Sequence, residues 1–164
     1  MDATEVADAG HDPLPQAAAP RIAFRPHRSL PWLLLPEGMP MQILTEAAPV
    51  RVPNTHQWFR GVASQRGNLL PVFDLAAWAD LPAEEDARTQ VVAIGQGAQS
   101  CAMLCAGSPT LLNIGPPVDC STEDGALSPF LDGHYDSALG RAREFDIQRW
   151  LATAAQKIAS NTAA

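Results

Sequence analysis

Basic residues are scarce in this chain: 11 Lys and Arg against 18 Asp and Glu leave a net charge of −7. That balance removes the electrostatic footprint of a nucleic-acid-binding protein and disfavours an anionic membrane surface. Cysteine is scarce too, and three thiols, an odd number, do not make a disulfide framework. No apolar run approaches the ~20 residues of a membrane span, so no direct membrane insertion is expected. The opening stretch MDATEVADAGHDPLPQAAAP is acidic and lacks the basic and apolar regions of a signal peptide. Together these absences point to the cytoplasm. His11, His27, His56 and His134 show no metal-ligand spacing. Cys105, His56 and Asp74 form a catalytic set only on paper, with no nucleophile turn or oxyanion device beside them. Gly95-Gln96-Gly97 precedes a strand rather than a helix, so it is not a phosphate-cradling loop. The sequence offers no reaction centre, and no enzyme activity, metal or cofactor is expected.

What the chain does have is proline, fifteen residues of it, and many short apolar runs. Residues 1–20, rich in Ala, Pro and Asp, read as a disordered tail, and residues 159–164 as a flexible C-terminus. Between them, over 21–158, runs such as RIAF, WLLL, MQIL and LLPVF alternate with turn signals. That pattern predicts a mainly β fold of sandwich or barrel type. The stretch 82–89, PAEEDART, reads as a solvated acidic connection. Val91–Ile94 and Ser100–Cys105 read as a hairpin, on which Cys101, Met103 and Cys105 share a core-facing side. After Asp146, apolar residues at Ile147, Trp150, Leu151, Ala154, Ala155 and Ile158 mark one face of a C-terminal helix.

The chain also repeats itself. Sliding Trp58–Trp78 onto Phe130–Trp150, 72 residues later, aligns Gly61 with Gly133 and Phe73 with Phe145. The same offset aligns Asp74 with Asp146 and Trp78 with Trp150. The shared F-D-[LI]-x-x-W has a physical reading: a strand ends at Phe, Asp caps a helix, and Trp folds back onto the barrel. The first such helix is expected to end at Pro82. Two similar β subdomains follow, with Phe73 and Phe145 buried in equivalent places of two barrels and Trp78 and Trp150 on equivalent corners. One feature is not repeated. The tip Gln65-Arg66-Gly67, where Gly67 is free to take positive φ, faces an uncharged counterpart at Ala138.

The stretch VPNTHQWFRGVASQRGNLLPVFDL resembles the central motif of the CheW-like coupling proteins of bacterial chemosensory arrays. The matching residues are Val52-Pro53, Trp58, Phe59, Gly61-Val62, Arg66-Gly67 and Pro71-Val72-Phe73-Asp74-Leu75. The Trp-Phe before Gly61 is most similar to the PilI type, which serves type IV pilus twitching motility. The resemblance implies two small SH3-like five-stranded β-barrels with a C-terminal α-helix, and no catalysis. It implies two partners, the regulatory domain of a CheA-type histidine kinase and the cytoplasmic tip of a methyl-accepting chemoreceptor. The residues it marks for partner contact are Arg66, Gly67, Gln65, Val62 and Leu69. Gly61, Phe73, Asp74, Trp78, Gly133, Phe145, Asp146 and Trp150 are the architectural ones. Three positions depart from the pattern: Ser64 replaces the motif Asn, Gln65 stands where Leu or Val is usual, and Gln42 aligns with an acidic residue that often accompanies the motif Arg. The resemblance therefore names no ion-pair partner for Arg66. A flagellar coupling protein and a β-barrel ligand or peptide sensor remain alternatives at this point.

Overall fold

The computed structural model describes residues 20–45, 48–84 and 89–163. The expected disordered tail lies outside these residues except for Pro20. The strands are β1 (Arg21–Phe24), β2 (Trp32–Leu34), β3 (Met41–Leu44), β4 (Phe59–Gln65) and β5 (Asn68–Phe73). After helix α1 (Leu75–Trp78) come β6 (Thr89–Ile94), β7 (Cys101–Ala106), β8 (Thr110–Leu112), β9 (Leu131–Ser137) and β10 (Gly140–Phe145). Helix α2 (Ile147–Ala163) closes the chain.

The strands form two five-stranded sheets, ordered β8-β1-β2-β10-β9 and β3-β6-β7-β5-β4. Each contains one parallel pair, β10 on β2 and β5 on β7, and is otherwise antiparallel. The chain lays two strands of one barrel, builds the other whole, and returns to finish the first. We call them the split barrel and the inserted barrel.

The 72-residue offset is architectural. β9 and β10 begin and end 72 residues after β4 and β5. Asp74 N donates to Trp58 O at 2.8 Å and Asp146 N to Phe130 O at 2.8 Å. Both carboxylates cap as expected: Asp74 Oδ1 accepts from Ala77 N, and Asp146 Oδ1 from Arg149 N, each at 3.1 Å. Gly61 and Gly133 both take positive φ, 122° and 63°, where their hairpins slip register. At Gly61 a Cβ would run into the carbonyl of Val50. Val50 exchanges both backbone hydrogen bonds with Val62 and covers the free edge of β4. Val118 N, donating to His134 O at 2.7 Å, does the same for β9.

Packing corrects one expectation. Each barrel has its own small filling: Trp32, Leu34 and Ala142 in the split barrel, Leu70, Val72 and Ala102 in the inserted one. Phe73, Phe145 and the side chains of Cys101, Met103 and Cys105 belong to neither filling. They join Trp58, Phe130 and Trp150 in a larger core between the barrels. Strand alternation explains this, because residues flanking an inward position point the other way. Trp78 and Trp150 meet there at 5.1 Å between centroids. Trp58 reaches Trp150, and Phe130 reaches Trp78, each at 6.0 Å and edge to face. Those paired contacts relate the halves by an approximate twofold. Each buried ring contributes ~2–3 kcal/mol, so the barrels are held as one body.

The first helix ends sooner than expected. α1 stops at Trp78, where Asp80 enters the left-handed region (φ 58°), before Pro82 is reached. α2 continues past Ile158 through Ala163, and no Gly or Pro follows Asp146 to stop it. In the 82–89 connection, Glu84 is not solvated but paired with Arg28 at 3.1 Å, while 85–88 lie outside the described residues. His27 reinforces that junction with its Nε2 2.8 Å from Pro82 O. Among the described residues no helix is long and apolar enough to cross a membrane.

Candidate functional site

The β4–β5 tip is one residue tighter than the sequence suggests. Gln65 pairs with Asn68, so only Arg66 (φ 53°) and Gly67 (φ 83°) form the loop. Two positive φ values define a type I′ turn, whose twist matches the flanking strands. Arginine is a costly choice at its first position, since a Cβ in the left-handed region is strained by ~1–2 kcal/mol. The sister hairpin avoids that cost. It turns through Ala138 and Leu139 and places its positive φ on Gly140 (123°). The halves therefore differ in turn type as well as charge.

Arg66 is exposed and makes no ion pair among the described residues, whereas Arg21, Arg28, Arg60, Arg141 and Arg143 all do. Gln42, standing where the resemblance places an acid, accepts from Gln65 Nε2 at 2.9 Å instead. Beside the tip, the mouth of the inserted barrel opens into a cavity of about 700 Å³. Gln42, Gln65, Arg66, Leu69, Leu70 and Ser100 contribute to its walls, and among the described residues Arg66 is the sole charged one lining it. Leu69 is 71% exposed at its rim.

Of the five residues expected to contact partners, Gln65, Arg66 and Leu69 converge on this mouth, and Gly67 shapes the turn. Val62 does not line it. Val62 pairs with Pro71 on the hairpin's outer face, and its backbone is taken by Val50. Leu69, opposite Ser64, shares that outer face two pairs nearer the tip.

Two polar clusters escape a reading of the sequence. Asp74, besides capping α1, accepts from Arg60 Nε at 3.1 Å and Nη2 at 2.7 Å. Asp124 is buried and accepts from Arg141 and Arg143, both at 3.0 Å. Arg143 also donates to Gly133 O and Leu131 O, binding the loop before β9 to the sheet. Burial alone would raise the Asp124 carboxyl, but the two guanidiniums outweigh it and hold it below the usual carboxylate range. The one local signal was Arg143 two residues before Phe145, a charge on the same strand face as a core ring.

Cys105, His56 and Asp74 are each otherwise engaged. His56 stacks on Trp58 at 4.8 Å, Asp74 is shared between cap and Arg60, and burial pushes the Cys105 thiol up. Burial raises Cys101 further, to about 12. Among the described residues no three metal-binding side chains cluster.

Residues 41–116, which span the inserted barrel, match the CheW-like domain family. Among solved structures the chain is similar to the scaffolding protein TtCheW from Thermoanaerobacter tengcongensis. The two superpose with a TM-score of 0.60 at 14% identity, covering 77% of this chain and 88% of that one. The fold is therefore CheW-like: two five-stranded barrels with a C-terminal helix. No curated protein matches the sequence.

Proposed function

We propose that this protein is a non-catalytic adaptor of a chemosensory array. It couples the cytoplasmic tip of a methyl-accepting chemoreceptor to the regulatory domain of a CheA-type histidine kinase, in the cytoplasm beneath the membrane receptors. The observation that carries this reading is a CheW-like fold bearing an exposed cation, Arg66, that has no ion pair among the described residues and stands beside exposed Leu69. Exposed charge selects a partner and speeds its encounter, while the neighbouring apolar surface supplies affinity. A guanidinium on a rigid turn also gives up little freedom on binding. Reconstitution with a kinase regulatory domain and a receptor-tip fragment tests the proposal. Arg66→Glu should leave stability within about ±0.5 kcal/mol, as surface changes do. It should weaken assembly by roughly 2–5 kcal/mol, the cost of a mismatched charge in a contact. Full assembly by the variant would overturn the docking role of the tip.

The finer assignment to type IV pilus twitching rests on Trp58-Phe59 before Gly61 and its similarity to the PilI type. Deletion in the native cell should abolish twitching and spare swimming. The reverse outcome would transfer the protein to flagellar chemotaxis. A β-barrel ligand sensor is favoured by one observation, the cavity with Gln42, Gln65 and Ser100 in its wall. Purification from the native cell separates the two, since an adaptor retains a kinase domain and a sensor retains a metabolite.

A further inference from the structure

The two barrels fill their mouths differently. Their registers superimpose: the β10–β2 pairing Glu144↔Leu34 corresponds to the β5–β7 pairing Val72↔Ala102. Counting back two residues along each parallel strand, Trp32 corresponds to Ser100. The β1–β2 pair Ala23↔Leu34 corresponds likewise to Ala93↔Ala102, so Arg25 corresponds to Gly95. In the split barrel these positions form a plug. Trp32 is 8% exposed, its Nε1 donates to Leu139 O of the hairpin tip at 3.3 Å, and Arg25 lies over the indole at 5.0 Å. In the inserted barrel Ser100 and Gly95 leave that volume empty, and both line the 700 Å³ cavity. Its size is in the ~300–1,000 Å³ range of binding pockets.

We propose that the mouth of the inserted barrel is a receptor for an aromatic side chain, of tryptophan type, presented by a partner protein. The split barrel supplies the template, because the same strand framework closes around an indole there. Charge complementarity supports the same occupant. Arg66 is the only charge at the mouth among the described residues, and a guanidinium is attracted to the negative face of an aromatic ring, the contact Arg25 makes with Trp32. This chain does not provide the ring itself. Every Trp, Phe and Tyr is buried or half-buried, and residues 1–19 contain none, so neither a second folded copy nor the N-terminal segment carries a free one. The choice of a protein partner rests on the adaptor reading; the aromatic specificity does not.

The test is an NMR titration of the full chain with the blocked peptide acetyl-Gly-Trp-Gly-amide, beside its Leu counterpart, free tryptophan and free indole. The Trp peptide should shift the amides of Gly95, Ser100, Leu69 and Leu70 and bind about tenfold tighter than the Leu peptide. It should also bind more tightly than free tryptophan or indole. Ser100→Trp, which restores the plug, should keep the fold and abolish those shifts. Should that variant fail to fold, Gln42→Trp on the exposed rim should block binding from outside. Shifts away from the mouth, equal binding of the Leu peptide, or undiminished binding to the plugged variant would each overturn the proposal. Tighter binding of free indole would replace the protein partner with a small aromatic metabolite. If the Trp peptide binds as described but kinase and receptor fragments do not assemble, the adaptor reading falls and the aromatic site stands.

Discussion

Asp74 and Asp146 occupy the same place in the repeat, yet removing them should not cost the same. Each side chain accepts one hydrogen bond from the third residue of its helix, at 3.1 Å in both copies. Losing an N-cap costs ~1 kcal/mol. Asp146 is exposed and its side chain makes no further hydrogen bond or ion pair among the described residues, so Asp146→Ala should lower stability by about that amount. Asp74 is 8% exposed, and its other oxygen holds Arg60 at 2.7 Å. Arg60 is itself 40% exposed, so the pair adds only ~0.2–1 kcal/mol. Asp74→Ala should therefore cost about 2 kcal/mol in all. For a chain of this size ~1 kcal/mol moves Tm by ~2–4 °C, so the expected drops are about 2–4 °C for Asp146→Ala and twice that for Asp74→Ala. Asp74→Asn separates the two contributions, because an amide oxygen still caps while the charge opposite Arg60 is gone. It should lose less than ~1 kcal/mol, and Arg60→Ala should add little to it in a double-mutant cycle. Calorimetry or urea unfolding on the four single variants and the Asp74→Asn/Arg60→Ala double reads all of this. Equal losses at the two aspartates would refute the reasoning, as would lost partner binding at unchanged stability.

Three further outcomes follow from the geometry. Gly67→Ala meets open space and pays only left-handed strain of ~1 kcal/mol, whereas Gly61→Ala collides with the Val50 carbonyl and should cost over ~3 kcal/mol, read as thermal midpoints. The folded Asp124 carboxyl lies below its unfolded value, so its contribution is complete above the usual carboxylate range and disappears as pH falls through the lowered value. Tm measured from neutral pH into strong acid should fall steeply in that window for the wild type, and Asp124→Asn should be less stable by about 3 kcal/mol at pH 7 with a flatter acid limb. Under a thiol-directed reagent, mass spectrometry should find Cys120 labelled first, since hydrogen bonds from Thr122 lower its thiol, and Cys101 and Cys105 labelled only on unfolding.

The outline of the fold was legible where local rules act alone. Asp followed by an apolar stripe forecast both caps, and the matching Gly61 and Gly133 forecast hairpins that recur strand for strand. Less legible was anything set by distant partners. Phe73 and Trp78 are apolar in either environment, so their composition does not say whether they fill a barrel or the seam between two. That choice was made by the parallel pairing of β5 on β7. Val62 lies away from the mouth for a related reason, because its edge is taken by Val50, a residue outside any strand run. The mouth was invisible to the 72-residue offset, since its distinguishing residues, Trp32 and Ser100, lie on strands related by a different shift.

The split barrel sets an order of events during synthesis. Trp32 must wait for Ala142, 110 residues later, before β2 gains its parallel neighbour. At ~5–20 residues per second the ribosome takes roughly 5–20 s to deliver it. In that interval the inserted barrel has all five of its strands and can close, offering cover to Leu33 and Leu35, while Trp32 and Leu34 still lack Ala142, against which they pack. A nascent chain halted before β10 should thus carry a closed inserted barrel and an unfinished split barrel, with Trp32 and Leu34 open to proteases and chaperones.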